Sequence, residues 1–144
     1  MEICGFEIAK KLKEKGFKEK CLTYYDVIDN VGLLYNTQYT NDLSPCQYTD
    51  LLQSHNTDVT AYQSDDSEYC VDAPTISQVM KWLRETHNIH IFTDFFLSNG
   101  DTKIHWIYRI RYIKDDSTED NPIYWYQSHE DAALAGINYV LDII

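Results

Sequence analysis

A chain of 144 residues, 44% hydrophobic and 24% charged, is long and apolar enough to bury a core without metals or disulfides, which excludes the disordered and disulfide-scaffold classes. Its net charge of −11 repels nucleic-acid backbone and anionic membrane, so neither is expected as a partner. The charge is uneven: residues 1–20 carry six Lys and four Glu, residues 21–73 carry nine acids and no Lys or Arg, and residues 74–144 carry six bases and ten acids.

One domain, 1–144, is the expectation, built from a helix in 1–20, an acidic Tyr-rich segment in 21–73 and a final unit in 74–144. Charges interrupt the opening "MEICGFEIAKKLKEK", where a signal peptide needs an apolar run, and no stretch approaches transmembrane length, so a reducing cytoplasm is the expected location. Within "FEIAKKLKEKGF", Phe6, Ile8, Ala9 and Leu12 fall near helical spacing and Gly16 supplies a stop, which predicts an amphipathic helix with a Lys-rich outer face. The next stretch, "CLTYYDVIDNVGLLYNTQYT", reads as two short strands around the turn Asp29-Asn30-Val31-Gly32, because β-branched and aromatic residues flank turn formers. Ser44 and Pro45 suit the N-cap and first position of a short helix to about Gln53. "NTDVTAYQSDDSEYCVDA" has no helical period and reads as an irregular excursion packed by its tyrosines.

Punctuation returns in "CVDAPTISQVMKWLRETHNIHI". Pro74 biases Ala73 away from helix, Thr75 can cap, and Gln78 completes a Thr-x-x-Gln capping box. Ile76, Val79, Met80 and Leu83 then mark one face of a helix ending near His87 and Asn88. A strand "IHIFTDFFL", a hairpin signal at Ser98-Asn99-Gly100-Asp101 and a second strand "KIHWIYRIRYI" follow. The acidic "KDDSTEDN" is expected to be a loop leading to a third strand, "PIYWYQ". Ser128, with Asp131 three residues on, can cap a last helix with Leu134, Ile137, Leu141 and Ile144 on its stripe. The fold class is therefore α+β and two-layer: a C-terminal α-β-β-β-α unit with an antiparallel sheet, which places Leu83, Trp106 and Ile137 in one core, plus the N-terminal helix and the Tyr-rich segment.

In topology this order resembles the double-stranded-RNA-binding domain. That family grips phosphates with lysines at the start of its last helix, where this chain has Ser128-His129-Glu130-Asp131, so the RNA-binding chemistry does not carry over. "AKKLKEKGF", "APTISQVMKWLRE" and "YWYQSHEDAALAGINYVLDII" resemble a group of small uncharacterised proteins from phages and mobile elements of gut bacteria. That resemblance implies a shared fold and a phage-like origin, and brings no activity or site residues with it.

Candidate chemistry is sparse. Cys4, Cys21, Cys46 and Cys70 form no CxxC pair and are expected as free buried thiols. His87 and His90 have metal-like spacing, with Asp94 as a third ligand, but a helix ends between them. Ser128, His129 and Glu130 are adjacent letters of a catalytic triad without its geometry, and capping explains Ser128 better. Neither "SDDSE" nor "KDDSTED" has the Gly and terminal Glu of a calcium loop. A surface remains: with Trp106, Tyr108 and Ile110 toward the helices, His105, Arg109 and Arg111 share the opposite sheet face with Tyr124 and Tyr126, and Arg among Tyr is usual in interface cores. The competing expectation is that residues 21–73 fold over this face and pair their acids with those arginines.

The composite reading is a small, acidic, non-enzymatic protein-interaction module with no cofactor, whose partner is a protein, a homodimer included. An acidic decoy that mimics nucleic acid toward a DNA- or RNA-binding protein is the alternative, and a small hydrolase or metal-dependent enzyme the third class.

Overall fold

A computed structural model describes residues 2–19, 21, 23–28, 31–36, 70–98, 100, 102–120 and 124–144. Helices and antiparallel sheets make the protein α+β, as the sequence pattern predicts, and its contacts divide into two compact units, Ile3–Thr75 and Ile76–Ile144, with Glu2 on the second.

The first unit opens with helix α1 (Phe6–Glu14). Gly16, at φ 83°, takes the left-handed conformation that ends it. Gly16 N–H then donates to the Lys13 carbonyl at 3.1 Å and Phe17 N–H to that of Leu12 at 2.9 Å, the paired bonds of a Schellman stop. Strands β1 (Thr23–Ile28), β2 (Val31–Asn36) and β3 (Cys70–Asp72) form an antiparallel sheet in the order β2-β1-β3. Ile28 pairs with Val31, so Val31 and Gly32, predicted as part of the turn, belong to β2. The Phe6 ring lies where a Cβ on Gly32 would stand. α1 packs against β3, and Ala9, Tyr25, Val71 and Ala73 form a small core with Ile3 and Phe6 beside it. Two buried hydroxyls satisfy backbone carbonyls: Tyr25 donates to the Cys4 carbonyl at 2.9 Å and Thr23 to the Ala73 carbonyl at 2.7 Å.

The second unit begins with helix α2 (Ile76–His87), which buries Ile76, Val79, Trp82 and Leu83. Asn88, at φ 58°, turns the chain out of it directly into strand β4 (Ile89–Leu97), which pairs over its whole length with β5 (Ile104–Tyr112). Strand β6 (Ser117–Asp120) pairs with the far end of β5, giving the order β4-β5-β6. Helix α3 (His129–Ile143) starts where predicted, with Asp131 N–H donating to Ser128 Oγ at 3.0 Å. It packs on β4 and β5, and α2 packs on β4 and α3.

Four departures from the sequence reading have physical causes. Among the described residues the third strand lies within the acidic stretch and not at 124–127, the described part of the predicted one; all four residues of β6 are exposed, and an outermost strand can carry charges that an inner one cannot. Of the described residues in the predicted strand, Tyr126 alone keeps a two-bond bridge to Trp106, at 2.9 and 2.7 Å. The end of the excursion, Cys70–Asp72, is a strand too short to show a period. α3 buries Ala132, Ala133 and Gly136 with Ile137, Val140 and Leu141, while Leu134 and Ile144 are only half-buried, because small residues let the helix approach the sheet. Leu83 and Ile137 are fully buried, but Trp106 is only half-buried, its ring against Phe95 and His129 instead. The predicted helix at 44–53 lies outside the described residues.

The close approach of α3 is testable. A Cβ on Gly136 would stand 3.0 Å from Ile91 Cγ2 and 3.1 Å from Tyr108 Cγ, so Gly136→Val is expected to cost about 1–3 kcal/mol by overpacking. Gly136→Ala should cost less, since about 1 kcal/mol of helix propensity offsets its smaller clash. Urea unfolding of both variants beside the parent checks the order.

Candidate interaction surface

The register of β4 on β5 decides which side chains share a face. Ile91 lies opposite Ile110, Thr93 opposite Tyr108 and Phe95 opposite Trp106, and these alternate positions face α3. The intervening pairs, His90 with Arg111, Phe92 with Arg109, Asp94 with Ile107 and Phe96 with His105, form the second face. His105, Arg109 and Arg111 therefore do lie together. Tyr126 does not join them: bridged to Trp106 and 6.2 Å from the Tyr108 ring, it lies on the helix face. Tyr124 is two-thirds exposed.

Sequence reasoning missed three members of this face. Trp125 meets His105 edge-on at 5.2 Å, Phe96 stacks on His105 at 5.4 Å, and Asp94 pairs with Arg109. Placing the third strand at 122–127 chose the wrong parity, and a one-residue slip exchanges the faces. The alternation in "IHIFTDFFL" was signal enough for Phe96 and Asp94.

The arginines are occupied. Asp94 and Asp120, from the strands on either side, each reach Arg109 at 3.4 Å, and Arg111 pairs with Asp116 in the β5–β6 turn. At that distance Arg109 Nε makes no aligned hydrogen bond, so the contact is ionic attraction. These partners come from the same sheet. The expectation that residues 21–73 cover this face concerns residues mostly outside those described. His90 stacks on Phe92 at 5.7 Å, and burial, then the charges of Arg84 and Arg111, holds its pKa below the ordinary histidine value, keeping the ring neutral at pH 7.

The end of this sheet next to the β4–β5 connection is apolar. Phe95, Phe96, Leu97, Ile104 and Trp125 are all exposed there, from 41% for Phe96 to 62% for Trp125. On the helix face a second group ties the edge strand down: the Glu119 carboxylate accepts from Tyr112 at 2.8 Å and from Tyr139 of α3 at 2.6 Å. Burial, then its bond to Glu119, pushes the Tyr112 hydroxyl up to about 12, and the separate bond from Tyr139 to Glu119 raises Tyr139.

The other candidates have ordinary roles. His87 packs edge-on against Trp82 at 4.7 Å, and no group of three or more His, Cys, Asp and Glu among the described residues could hold a metal ion. Ser128 Oγ caps α3, and His129 packs on Trp106. Cys4 and Cys21 are free and buried, with burial pushing the Cys4 thiol up to about 12, far from a reactive thiolate. No described helix is long and apolar enough to cross a membrane. No family model, curated protein or solved structure matches the chain.

Two outcomes test this geometry. Arg109→Ala should lower stability by about 1 kcal/mol, since half-exposed ion pairs contribute about 0.2–1 kcal/mol each and two are lost. Lys11→Ala, on α1, should be close to neutral, and denaturant melts at low and high salt separate the ionic part. For Tyr112, a folded pKa above the unfolded value of 10.0 means its contribution is complete below pH 10 and is lost as pH rises through about 12. Stability should fall across that window, and Tyr112→Phe should fall less steeply; melts at pH 9, 10.5 and 12 compare them.

Proposed function

We propose that this chain is a non-enzymatic protein-contact module of phage or mobile-element type that works in a reducing cytoplasm and docks through the apolar end of the second unit's sheet. The observation that carries this reading is the gathering of exposed large hydrophobic side chains at one end of one sheet, Phe95, Leu97 and Ile104 on its helix face and Phe96 and Trp125 on the other. Divided between the two faces, they form an apolar rim around the end of the hairpin rather than one flat patch. The Phe96, His105 and Trp125 rings are already packed on one another, so docking would immobilise little. Free buried thiols at Cys4 and Cys21 suit a reducing compartment.

The partner surface is protein rather than nucleic acid in this proposal, because Arg109 and Arg111 are turned onto Asp94, Asp120 and Asp116 instead of toward phosphates. The acids that motivated a decoy lie largely in residues 21–73, and no feature of the described surface favours that reading over an apolar one.

The test is affinity capture from the native host with the parent protein, Trp125→Ser and Lys11→Ala. A specific protein retained by the parent and by Lys11→Ala, and lost with Trp125→Ser, is the expected result. Trp125 is 62% exposed, so its replacement should leave the fold intact by circular dichroism. Capture that ignores Trp125, or the recovery of nucleic acid in place of protein, would sink the proposal.

A further inference from the structure

We infer that a second copy of this chain docks on the free edge of β4, strand to strand, an inference that rests on the protein-contact reading above. Among the described residues β4 pairs only with β5. The bridge between Trp106 and Tyr126 uses the Trp106 N–H and C=O on the β6 side of β5, so the Trp106–Phe95 pair is one that exchanges no bonds. Phe95 and its odd-numbered neighbours in β4 therefore aim N–H and C=O outward, away from the sheet. The Phe95 N–H confirms this direction: it donates at 2.8 Å to the carboxylate of Asp94 rather than to β5.

A nine-residue edge of this kind is ordinarily guarded by lysines, prolines or a bulge. This one, "IHIFTDFFL", has a single charged residue, Asp94. Phe95, Phe96 and Leu97 are 54%, 41% and 59% exposed on it, and Ile104, opposite Leu97, is 48% exposed. The occupant must be an extended, apolar strand with little charge, and the chain carries one in β4 itself. Antiparallel pairing about Phe96 sets that ring opposite its copy and pairs Phe95 with Leu97 in both directions. It also holds the two Asp94 side chains four residues apart along the pair, where pairing about Thr93 would bring them within two. Charge therefore selects the register that buries the apolar end.

The dimer so formed is weak. These four side chains expose on the order of 400 Å² per copy, about half of one side of a standard interface, which belongs to the transient class. Two chains of net charge −11 also repel at long range, so added salt should strengthen association, the reverse of an interface built on ion pairs.

Sedimentation equilibrium from about 10 to 500 µM chain, at low and high salt, reads the association directly, since micromolar binding is expected of so small an interface. The parent is expected to dimerise more tightly at high salt. Phe96→Asp, which puts two carboxylates on the two-fold, and Leu97→Asp should each weaken dimerisation at least about tenfold. Circular dichroism of both variants should match the parent, because both side chains are exposed. A parent that stays monomeric throughout, or a dimer indifferent to both substitutions, overturns the inference. A monomer that still captures a protein through Trp125 removes the dimer alone; a dimer lost with Phe96→Asp beside Trp125-insensitive capture removes the docking reading and leaves the dimer.

Discussion

The nine-pair register between β4 and β5 is the constraint on which the second unit depends. Because side chains alternate along a strand, fixing Ile91 against Ile110 also fixes every other residue of both strands to one face. The helix face then presents Ile89, Ile91, Tyr108 and Ile110, all buried, and only a helix with small residues could come close enough to cover it. Ala132, Ala133 and Gly136 meet that requirement. Slipping β5 by one residue would bring Arg109 and Arg111 under α3 and leave Ile110 in water. The cost of burying two guanidiniums makes that alternative inaccessible.

The same register explains how so polar a strand as β6 is held. All four of its residues are exposed, so apolar burial contributes little. Cross-strand chemistry takes over: Asp120 is set beside Arg109 on one face, while Glu119 turns toward α3 and accepts from Tyr112 and Tyr139 on the other. Neutral phenols on a carboxylate avoid the desolvation that a buried ion pair would suffer, and two donors from different elements fix the carboxylate in place. The strand is positioned by polar contacts on both faces in place of a core.

Most elements were legible because their signals are local. The Gly16 stop, the Ser128 cap and the alternation in "KIHWIYRIRY" each act within a few residues. What escaped was decided by distant neighbours. The "STED" segment has no strand propensity of its own and becomes β6 because β5 offers an unpaired edge. Cys70–Asp72 becomes β3 because Tyr24 and Tyr25 lie alongside it. Of the candidate surface, His105, Arg109 and Arg111 were readable from the period of one strand. Tyr126 was misplaced because its face depended on where a neighbouring strand began, and Trp125 was overlooked for the same reason. The carboxylate partners of the arginines could not be seen without the register.

These placements also bear on what kind of recognition such a surface supports. An acidic chain could attract a partner through its field, but the charges of this face are spent internally, with Arg109 shared between Asp94 and Asp120 and Arg111 held by Asp116. His90 is kept neutral by burial, then by the charges of Arg84 and Arg111. What the sheet offers outward is shape and apolar area, carried on both faces of the end next to the β4–β5 connection. Rings already stacked lose little freedom on contact, so the affinity of such a patch is governed by how much water it sheds and how well the partner fits. Electrostatics then acts by exclusion: a partner bringing its own carboxylates meets the repulsion of net charge −11, and one bringing phosphates meets arginines that already have partners. Selectivity of this kind discriminates against wrong ligands more than it attracts the right one.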